Sequence, residues 1–268
     1  MGLLTAADVW FGYDERRPVL RGVSLDVPAG AIIGILGPNG SGKTTLLRIL
    51  AGTRRPQRGS VTYDGTPLAR FSRPALARRM AVVPQETHLA FDYTVAEVAM
   101  MGRYPHLGAF EIEGPRDIAA IDETLASTGT LQLKDRPFAT LSGGEKQRVI
   151  IASALAQIGS GVLLLDEPTA SLDLRYQLEI ADLLWRLHEE RGIAVVISTH
   201  DLALAGGLCD RIVLIREGVV IASGIADAIL TPDNIRQAYD VDAEIVSHQS
   251  AARVLIPIRR ERHIPHGE

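Results

Sequence analysis

A phosphate-binding loop is the most specific chemical feature of the sequence. Residues 37–45 fit the pattern G-x-x-x-x-G-K-[ST] at every fixed position. Glycines let backbone N–H groups curl around phosphate oxygens, because no Cβ blocks the approach. A lysine at this spacing can reach the β- and γ-phosphates of a nucleotide, and the hydroxyl that follows it can hold Mg²⁺. The residues of the loop are Gly37, Pro38, Asn39, Gly40, Ser41, Gly42, Lys43, Thr44 and Thr45.

The segments on either side of the loop supply the strand–loop–helix context that this motif requires. Residues 31–36 form an apolar run that predicts a buried strand, and residues 46–51 predict a helix capped by Gly52. The helix N-terminus adds a partial positive charge beside the loop, which favours an anion. An ordinary glycine-rich turn is the alternative interpretation, but such a turn does not need both Lys43 and Thr44.

Two carboxylates and a histidine follow predicted buried strands further along the chain. Residues 161–168 predict a buried parallel strand that ends in Asp166 and Glu167. Charges there are costly unless they meet a metal or a positive partner, and this end of an open α/β sheet is where ligands bind. Asp166 could hold the Mg²⁺ shell, and Glu167 could orient or deprotonate a water. His200 follows the strand at 194–198; alone it would be structural, but it shares this edge.

The segment 141–145 allows two interpretations. Ser142, with Glu145 three residues later, makes a capping box for the helical run that follows. For a Ser-Gly-Gly-Glu sequence on its own, the cap would be the better interpretation. The two glycines between them, Gly143 and Gly144, go beyond what a cap needs and would open the helix end to an anion.

The remaining periodicity predicts an α/β chain with a helical insertion. Further predicted strands lie at 3–10, 19–27, 60–63, 81–85 and, as a hairpin, 211–222, with an aromatic turn at 10–13. Predicted helices lie near 73–80, within 87–158, from the N-cap Asp173 to Gly192, and at 225–240. The predicted faces of the helices within 87–158 include Val95, Val98, Ala99 and Gly102, and Ile118, Ile121, Leu125 and Thr128. The helix after Asp173 is expected to run through Leu178, Ala181, Leu184, Trp185 and His188. Residues 263–268 have no apolar period and are expected to fray.

Composition and charge limit the classes of protein that the sequence can encode. The 268 residues are 46% hydrophobic and 22% charged, ordinary values for a globular protein, and the net charge of -4 gives no electrostatic footprint for nucleic acid. The single cysteine, Cys209, fits a reducing compartment and is expected to be an ordinary buried residue. No apolar run approaches the ~20 residues that span a bilayer, and the N-terminus lacks a secretory signal, so membrane association is expected through a partner.

These motifs, in this order and spacing, resemble the ATP-binding subunit of ABC transporters over nearly the whole chain. The resemblance implies an α/β P-loop NTPase fold of the ABC-ATPase type, with a mainly parallel core sheet, an N-terminal antiparallel β subdomain and a helical subdomain. Residues 1–240 are then one ATP-binding domain, with the helical subdomain inserted at about 87–158, and residues 241–268 are a C-terminal extension. ATPase activity with ATP and Mg²⁺ as cofactors is implied as well.

The resemblance also gives roles to individual residues. Tyr13 would stack on adenine, Gln85 would sense the γ-phosphate side and the membrane partner, and residues 141–145 would complete the nucleotide site of the opposite subunit. The implied catalytic residues are Lys43, Gln85, Glu167 and His200. The implied metal ligands are Thr44, Gln85 and Asp166. The implied nucleotide-binding residues outside the phosphate loop are Tyr13, Ser142, Gly143, Gly144, Glu145 and Asp173, the last in a loop that crosses the dimer. Two departures are Glu145, where Gln is frequent, and Ser153, where Arg is frequent.

A finer resemblance indicates the importers of ferric siderophores, haem and vitamin B12, and is carried by residues 101–106, 172–177 and 231–242. The resemblance to ABC transporters as a whole implies a homodimer bound to integral membrane permease subunits, peripheral at the cytoplasmic face of the inner membrane. A solute-binding protein would be an indirect partner, and no nucleic acid is expected. Because the family meets its permease through the helical subdomain, residues 101–106 are expected to contact it, although Tyr104 and His106 could equally be packing residues.

Other functions fit the sequence less well. An ABC ATPase of another transporter class, with another substrate or with export in place of import, is the first alternative. A non-transport ABC ATPase acting on DNA or ribosomes usually has long coiled-coil insertions or two cassettes in one chain, and neither is present here. A small-molecule P-loop kinase would not need residues 141–145 placed before the two carboxylates.

Overall fold

The computed structural model describes residues 2–14, 16–87, 89–247 and 253–258, so the predicted fraying at 263–268 lies outside the described residues. The strands are β1 (Leu4–Asp14), β2 (Arg17–Val27), β3 (Ile32–Leu36), β4 (Arg58–Tyr63), β5 (Thr66–Pro67), β6 (Met80–Val83), β7 (Val162–Asp166), β8 (Ala194–Thr199), β9 (Arg211–Arg216), β10 (Val219–Ile225), β11 (Asp242–Ser247) and β12 (Arg253–Ile258). The helices are α1 (Lys43–Leu50), α2 (Arg73–Ala77), α3 (Val95–Met100), α4 (Pro115–Ser127), α5 (Gly143–Ile158), α6 (Leu174–Arg191), α7 (Leu202–Leu208), α8 (Ala226–Ile229) and α9 (Pro232–Tyr239).

The central sheet has the strand order β10-β9-β3-β8-β7-β6 and is parallel except for the edge strand β10. Its inner strands are apolar on both faces, as strands covered on both sides must be. On β3, Ile33 and Ile35 face α1 and the N-terminal sheet, whereas Ile32 and Leu36 face the core that α5, α6 and α7 cover. The predicted parallel core sheet is therefore confirmed.

The N-terminal sheet is antiparallel, with the order β2-β1-β4-β5, as predicted. The predicted turn at 10–13 is wrong, because β1 continues through Gly12 to Asp14. Register shifts in the pairing with β2 absorb the extra residues, and Gly12 lies opposite Pro18. A Cβ on Gly12 would lie 2.7 Å from the Asp14 carbonyl oxygen, so the glycine permits the tight pairing rather than ending the strand.

The helical arm, residues 94–158, has its own core between α3, α4 and α5. Val95, Val98 and Ala99 are buried there as predicted. Ile118 is exposed, which corrects the predicted face of α4. The buried stripe of α4 follows Asp117, Ile121, Thr124 and Leu125, so position 118 falls at its rim.

Three further boundaries and faces differ from the sequence predictions. The predicted helix near 73–80 ends at Ala77, and Met80 is the buried first residue of β6. On α6, Leu178 and Trp185 are exposed, because the face toward the sheet is formed by a different i, i+3, i+4, i+7 set. That set is Ile180, Leu183, Leu184 and Leu187.

The C-terminal part packs onto the same core as the central sheet. The predicted hairpin is confirmed as β9 and β10, and the helices expected at 225–240 are α8 and α9. The antiparallel pair of β11 and β12 was not predicted. Ala243 is buried in one cluster with Ile235 and Ala238 of α9, and the boundary at residue 240 remains a prediction. Within the described ranges, no helix is both long and apolar enough to cross a bilayer.

Candidate active site

The carboxyl ends of four neighbouring parallel strands place the predicted catalytic residues along one edge of the central sheet. In the order β3, β8, β7 and β6, these ends lead into the phosphate loop, His200, Asp166 with Glu167, and Gln85. They border a cleft of about 710 Å³. Its lining residues are Val19, Asn39, Gly40, Gly42, Lys43, Thr44, Thr45, Gln85, Glu167, Ala170 and His200. The ligand edge inferred from the sequence is thus one continuous surface.

The phosphate loop presents an open helix end to this cleft. Helix α1 begins after Gly42, and no side chain in the described part of the protein caps its backbone N–H groups. Gly40 and Gly42 have φ values of 77° and 107°, which glycine adopts without strain. A Cβ on Gly37 would overlap the carbonyl oxygen of Ile215, so the loop lies directly against β9. Uncapped N–H groups with the helix dipole behind them form a ready site for an anion.

Lys43 lies at the centre of the loop and is 5% exposed. Its Nζ donates hydrogen bonds to the carbonyl oxygens of Gly37, at 2.9 Å, and Pro38, at 3.3 Å. The same Nζ is 3.3 Å from Oε1 of Glu167. A buried ammonium needs such partners, and these acceptors hold it at the phosphate loop.

Asp166 accepts hydrogen bonds from two hydroxyl groups. Thr44 Oγ1 donates to its Oδ1 at 3.0 Å, and Ser198 Oγ donates to the same oxygen at 2.7 Å. Sequence reasoning missed Ser198 as a site residue; the available signal was a hydroxyl near the end of an otherwise apolar strand. The paired hydroxyl and carboxylate of Thr44 and Asp166 are oxygen ligands that suit Mg²⁺, which usually takes one or two protein groups plus phosphate oxygens and waters. Across the described residues no group of three or more His, Cys, Asp or Glu side chains forms a separate metal site.

Glu167 lies between two potential cations. Its Oε2 is 3.3 Å from His200 Nδ1, while its Oε1 faces Lys43. The backbone of Glu167 has φ 46°, an uncommon conformation for a residue other than glycine. Its N–H is held by the carbonyl and hydroxyl oxygens of Ser198, at 3.0 and 3.1 Å. Such strain, fixed by neighbouring groups, is typical of functional sites.

Tyr13 stands at the rim of the cleft beside α1. Its side chain is 57% exposed, and its hydroxyl lies 3.4 Å from Thr45 Oγ1 and accepts a hydrogen bond from Arg48 at 3.3 Å. The hydrogen bond with Thr45 is the main cause that lowers the pKa of Tyr13 below its ordinary value. Phe11 holds the ring edge-on at a centroid distance of 5.1 Å. The hydroxyl and one side of the ring are thus held in place. The exposed part of the ring remains available to stack on a nucleotide base.

The segment 141–145, which we call the signature segment, is not among the described residues that line the cleft. The capping-box interpretation is confirmed: the hydroxyl of Ser142 accepts from the Glu145 N–H at 3.4 Å, and the Ser142 N–H donates to Glu145 Oε2 at 2.8 Å. The hydrogen bonds that the Ser142 N–H and, second, the Ser142 hydroxyl donate to the Glu145 carboxylate lower the pKa of Glu145. Asp173 also lies outside the cleft and caps α6 through the Tyr176 N–H. The cleft of one chain therefore brings together the phosphate-side residues, but it includes neither the signature segment nor Asp173.

Residues 101–106 act mainly within the helical arm. A Cβ on Gly102 would overlap the Ser153 carbonyl oxygen. Arg103 pairs with Asp117 at 2.9 Å, and His106 Nε2 lies 2.8 Å from the Gln157 carbonyl oxygen. Only Tyr104 of these polar and aromatic side chains is largely exposed, at 57%. Within residues 101–106, Tyr104 is therefore the side chain best placed to make the expected contact with the permease. Cys209 is buried, as expected, and burial raises the pKa of its thiol to about 12.

Proteins of similar sequence include the ATP-binding proteins of import systems. The cobalamin import ATP-binding protein BtuD of Halobacterium salinarum is 40% identical over 238 residues, which cover 89% of this chain and 59% of that protein. This chain therefore spans little more than half the length of that relative. The hemin import ATP-binding protein HmuV of Streptomyces coelicolor is 42% identical over 247 residues, covering 91% of this chain and 86% of the relative.

Solved structures share the fold over most of its length. One belongs to an ABC transporter in an inward-facing conformation, provisionally assigned to the metal-chelate type, with a TM-score of 0.84, 26% identity and coverage of 96% of this chain and 97% of that one. Another is a dimeric bacterial ABC transporter cassette, with a TM-score of 0.72, 29% identity and coverage of 83% and 98%. The family model described as ABC transporter matches residues 20–170. Taken with the geometry of the cleft, these matches place the chain in the ABC transporter family.

Proposed function

We propose that this chain hydrolyses ATP and thereby powers a membrane transporter. The observation that carries ATP hydrolysis is the position of the Glu167 carboxylate, 3.3 Å from both Lys43 Nζ and His200 Nδ1. Directly beside it, Asp166 and Thr44 are joined by a 3.0 Å hydrogen bond at the mouth of the phosphate loop. A base, a phosphate-binding cation and a pair of metal ligands therefore share one cleft, which phosphoryl transfer to water requires.

The roles of the residues follow from their positions. The uncapped N–H groups of α1 and Lys43 bind the phosphates, while Tyr13 offers its exposed ring to the base. Thr44 and Asp166 would hold Mg²⁺, which when bound neutralises phosphate charge. When Lys43 turns from Glu167 toward a phosphate, the carboxylate becomes free to accept a proton from an attacking water, with His200 still beside it.

We infer that two copies of the chain complete each other's sites. The cleft contains the phosphate-side residues, but the signature segment lies elsewhere in the same chain. A homodimer in which each signature segment faces the partner's phosphate loop would use both surfaces. The dimeric structure of the cassette with which this chain shares 29% identity supports the dimer itself. Gln85, exposed past the end of β6 at the cleft, is suited to couple the site to a permease, and its role as a metal ligand stays part of the proposal.

For the transported substrate, we propose a metal chelate: a ferric siderophore, haem or cobalamin. Support comes from the relatives named for cobalamin and hemin import, and from the 0.84 TM-score with the transporter assigned to the metal-chelate type. The permease subunits would bind the helical arm, where Phe110 and Ile112 are 102% and 82% exposed, and the loop just before it, where Phe91 is 72% exposed. The chain would then work at the cytoplasmic face of the plasma membrane, with a solute-binding protein as an indirect partner.

Uptake in a deletion strain tests the substrate class. We expect a strain without this chain to lose uptake of labelled ferric siderophore, haem or cobalamin, and to regain it with the wild-type chain but not with Lys43→Ala. Normal uptake of all three, with loss of sugar, peptide or lipid transport or of an export activity, would assign the chain to another transporter class. Capture of ribosomes or DNA in place of a membrane permease in a pull-down would indicate the non-transport class.

A further inference from the structure

Helix α5 is shared between the core and the helical arm. Ile151 and Leu155 lie in the apolar cluster that covers the central sheet, whereas Ala152 lies in the core of the arm. The signature segment contains the N-terminus of α5, and the opposite end of the helix lies beside β6. At 1.5 Å per residue, its 16 residues span about 24 Å. Helix α5 therefore connects the signature segment to the core.

The side chain of Gln157, in the last turn of α5, is fastened to the core. Its Nε2 donates hydrogen bonds to the carbonyl oxygens of Ala77 and Met80, both at 2.9 Å. Ala77 is the last residue of α2, and Met80 is the first residue of β6. Strand β6 is itself held in the central sheet by its pairing with β7. One amide group thus joins the end of α5 to two fixed backbone groups.

Two side chains of the helical arm hold the backbone of the same turn. Arg103 Nη1 donates to the Ala156 carbonyl at 2.7 Å, and His106 Nε2 lies 2.8 Å from the Gln157 carbonyl oxygen. These carbonyls are among the last four of α5, which have no partner within the helix. Asp117 lies 2.9 Å from Arg103 Nε and fixes that guanidinium. The C-terminal end of α5 is therefore held by the core and by the arm together.

We propose that Gln157 is a positioning residue for ATP hydrolysis at the partner's phosphate loop: it fixes the C-terminal end of α5, and thereby the place of the signature segment at the other end. This inference rests on the proposed function, in which each signature segment faces the phosphate loop of a second chain. Because α5 is about 24 Å long, a tilt of about 2–3° at its C-terminus moves its N-terminus by about 1 Å. A misplacement of about 1 Å can cost about 10²-fold in rate.

The phosphate loop of the same chain should not depend on this amide. Ala77 and Met80, which accept its hydrogen bonds, are not among the described residues that line the cleft. The apolar contacts of α5 also remain when the amide is removed, so they limit the tilt of the helix. We therefore expect a loss of rate smaller than 10²-fold, without a loss of nucleotide binding.

The test is Gln157→Met in the full chain, which keeps the length of the side chain but removes both N–H donors. We expect the ATPase kcat to fall about tenfold, because the signature segment is misplaced. The Kd of a fluorescent ATP analogue should stay within about twofold, because the phosphate loop is unchanged. The matched control is Gln132→Met. The Gln132 amide donates to the Gly129 carbonyl at 3.0 Å within the arm, and its loss should leave kcat unchanged.

Mixing with Lys43→Ala chains shows in which chain Gln157 acts. In an excess of Lys43→Ala, nearly every Gln157→Met chain pairs with a chain whose signature segment is intact. We expect the ATPase activity per Gln157→Met chain to rise about tenfold, back to near the wild-type value. Activity that stays low would place the effect within the same chain, through β6 and Gln85 or through a loss of folding, and would overturn the proposal. An unchanged kcat in unmixed Gln157→Met would also overturn it and leave the ATPase function intact.

A second variant and a positive control keep the test decisive. If Gln157→Met does not bind the analogue, His106→Leu takes its place, because it removes a contact to the same turn of α5. Its kcat should fall and recover in the same mixture; an unchanged kcat, or a fall without recovery, would overturn the proposal. Ser142→Arg chains mixed with Lys43→Ala are the positive control. Without recovery there, the two-chain site fails, and this inference fails with it.

Discussion

The N-termini of two helices in this chain face the same problem of unsatisfied backbone N–H groups and solve it differently. Helix α1 begins in a glycine-rich loop with no side-chain cap among the described residues, and its open end borders the cleft. Helix α5 begins in a glycine-rich segment as well, but Ser142 and Glu145 close it with a complete capping box. The first end needs a ligand, whereas the second is satisfied by its own chain.

The difference separates what one chain can do alone from what it can do only with a partner. The open end of α1, with Lys43 beside it, can bind phosphate without help. The capping box already satisfies the N-terminus of α5 in the signature segment, so this end does not need a phosphate. Its glycines also permit close packing, since a Cβ on Gly144 would overlap the Tyr176 ring. We therefore expect damage at α1 to remove binding and damage at α5 to remove only the step that needs a second chain.

The largest effect is expected for Lys43→Ala, which removes the cation at the open helix end. We expect ATP hydrolysis to fall by at least about 10²- to 10³-fold, and nucleotide binding to weaken strongly. A steady-state ATPase assay at saturating Mg-ATP measures the first and equilibrium binding the second. The control is Lys134→Ala, which breaks a surface ion pair with Asp122 in the helical arm. This variant should hydrolyse ATP and bind nucleotide as the wild type does. Near-normal turnover of Lys43→Ala would show that the cation at the N-terminus of α1 is not needed for ATP hydrolysis.

Glu167→Gln should separate binding from chemistry. The amide keeps the size of the side chain but cannot accept the proton, so we expect hydrolysis to fall about 10²-fold or more while ATP still binds. Without turnover, ATP should hold two chains together, and size-exclusion chromatography with Mg-ATP should show a dimer. Glu189→Gln, on the exposed face of α6, should behave as wild type. A Glu167→Gln variant that stays monomeric and hydrolyses ATP would contradict the role of this carboxylate.

Ser198→Ala tests the residue that sequence reasoning missed. Asp166 would lose its 2.7 Å donor, and the Glu167 N–H would lose the hydroxyl oxygen at 3.1 Å. Hydrogen bonds to charged groups contribute about 1.5–3 kcal/mol, so we expect kcat to fall about tenfold and the protein to be destabilised by a similar free energy. The control is Ser127→Ala, whose hydroxyl donates only to the Thr124 carbonyl in α4. Equal behaviour of the two variants in the ATPase assay would exclude a site role for Ser198.

The smallest effect concerns the cap of α5 and its pH dependence. Hydrogen bonds from Ser142 lower the pKa of Glu145 in the folded state. A carboxyl with a lowered folded-state pKa stabilises the fold above its unfolded-state pKa, and that contribution is lost as the pH falls through the folded-state value. Glu145→Gln should therefore cost less than about 1 kcal/mol at neutral pH and nothing in acid. Chemical denaturation across this pH range measures it. A difference that persists in acid would show that the charge of Glu145 is not what closes the helix.

Much of the site was predictable because its signals are local in sequence. The phosphate loop, the two carboxylates at the end of β7 and the capping box each occupy a few consecutive residues with fixed spacing. Ser198 was not predictable, because its importance comes from the strand register that places its hydroxyl beside Asp166 and the Glu167 N–H, which no local pattern encodes. At residues 141–145 the sequence allowed both interpretations, and the structure confirms the cap.

The fold shows the same division. Apolar runs predicted the parallel strands, since strands buried on both faces leave a continuous signal. The extent of β1 was wrong because its register shifts let Gly12 stay in the strand. The face of α6 was wrong because two large apolar residues, Leu178 and Trp185, lie outside the buried stripe. Tertiary packing, not composition, decides which of two possible helical faces is covered.

The central claim is that the cleft of one chain is completed by the signature segment of another, and mixing two inactive variants tests it directly. Lys43→Ala chains retain an intact signature segment, and Ser142→Arg chains retain an intact phosphate loop. In a mixed dimer one site is doubly damaged and the other is intact. We predict that the mixture regains up to about a quarter of wild-type ATPase activity if the two sites work independently, because about half of the dimers are mixed. A mixture as inactive as its two components would contradict the composite site and place all catalysis within one chain.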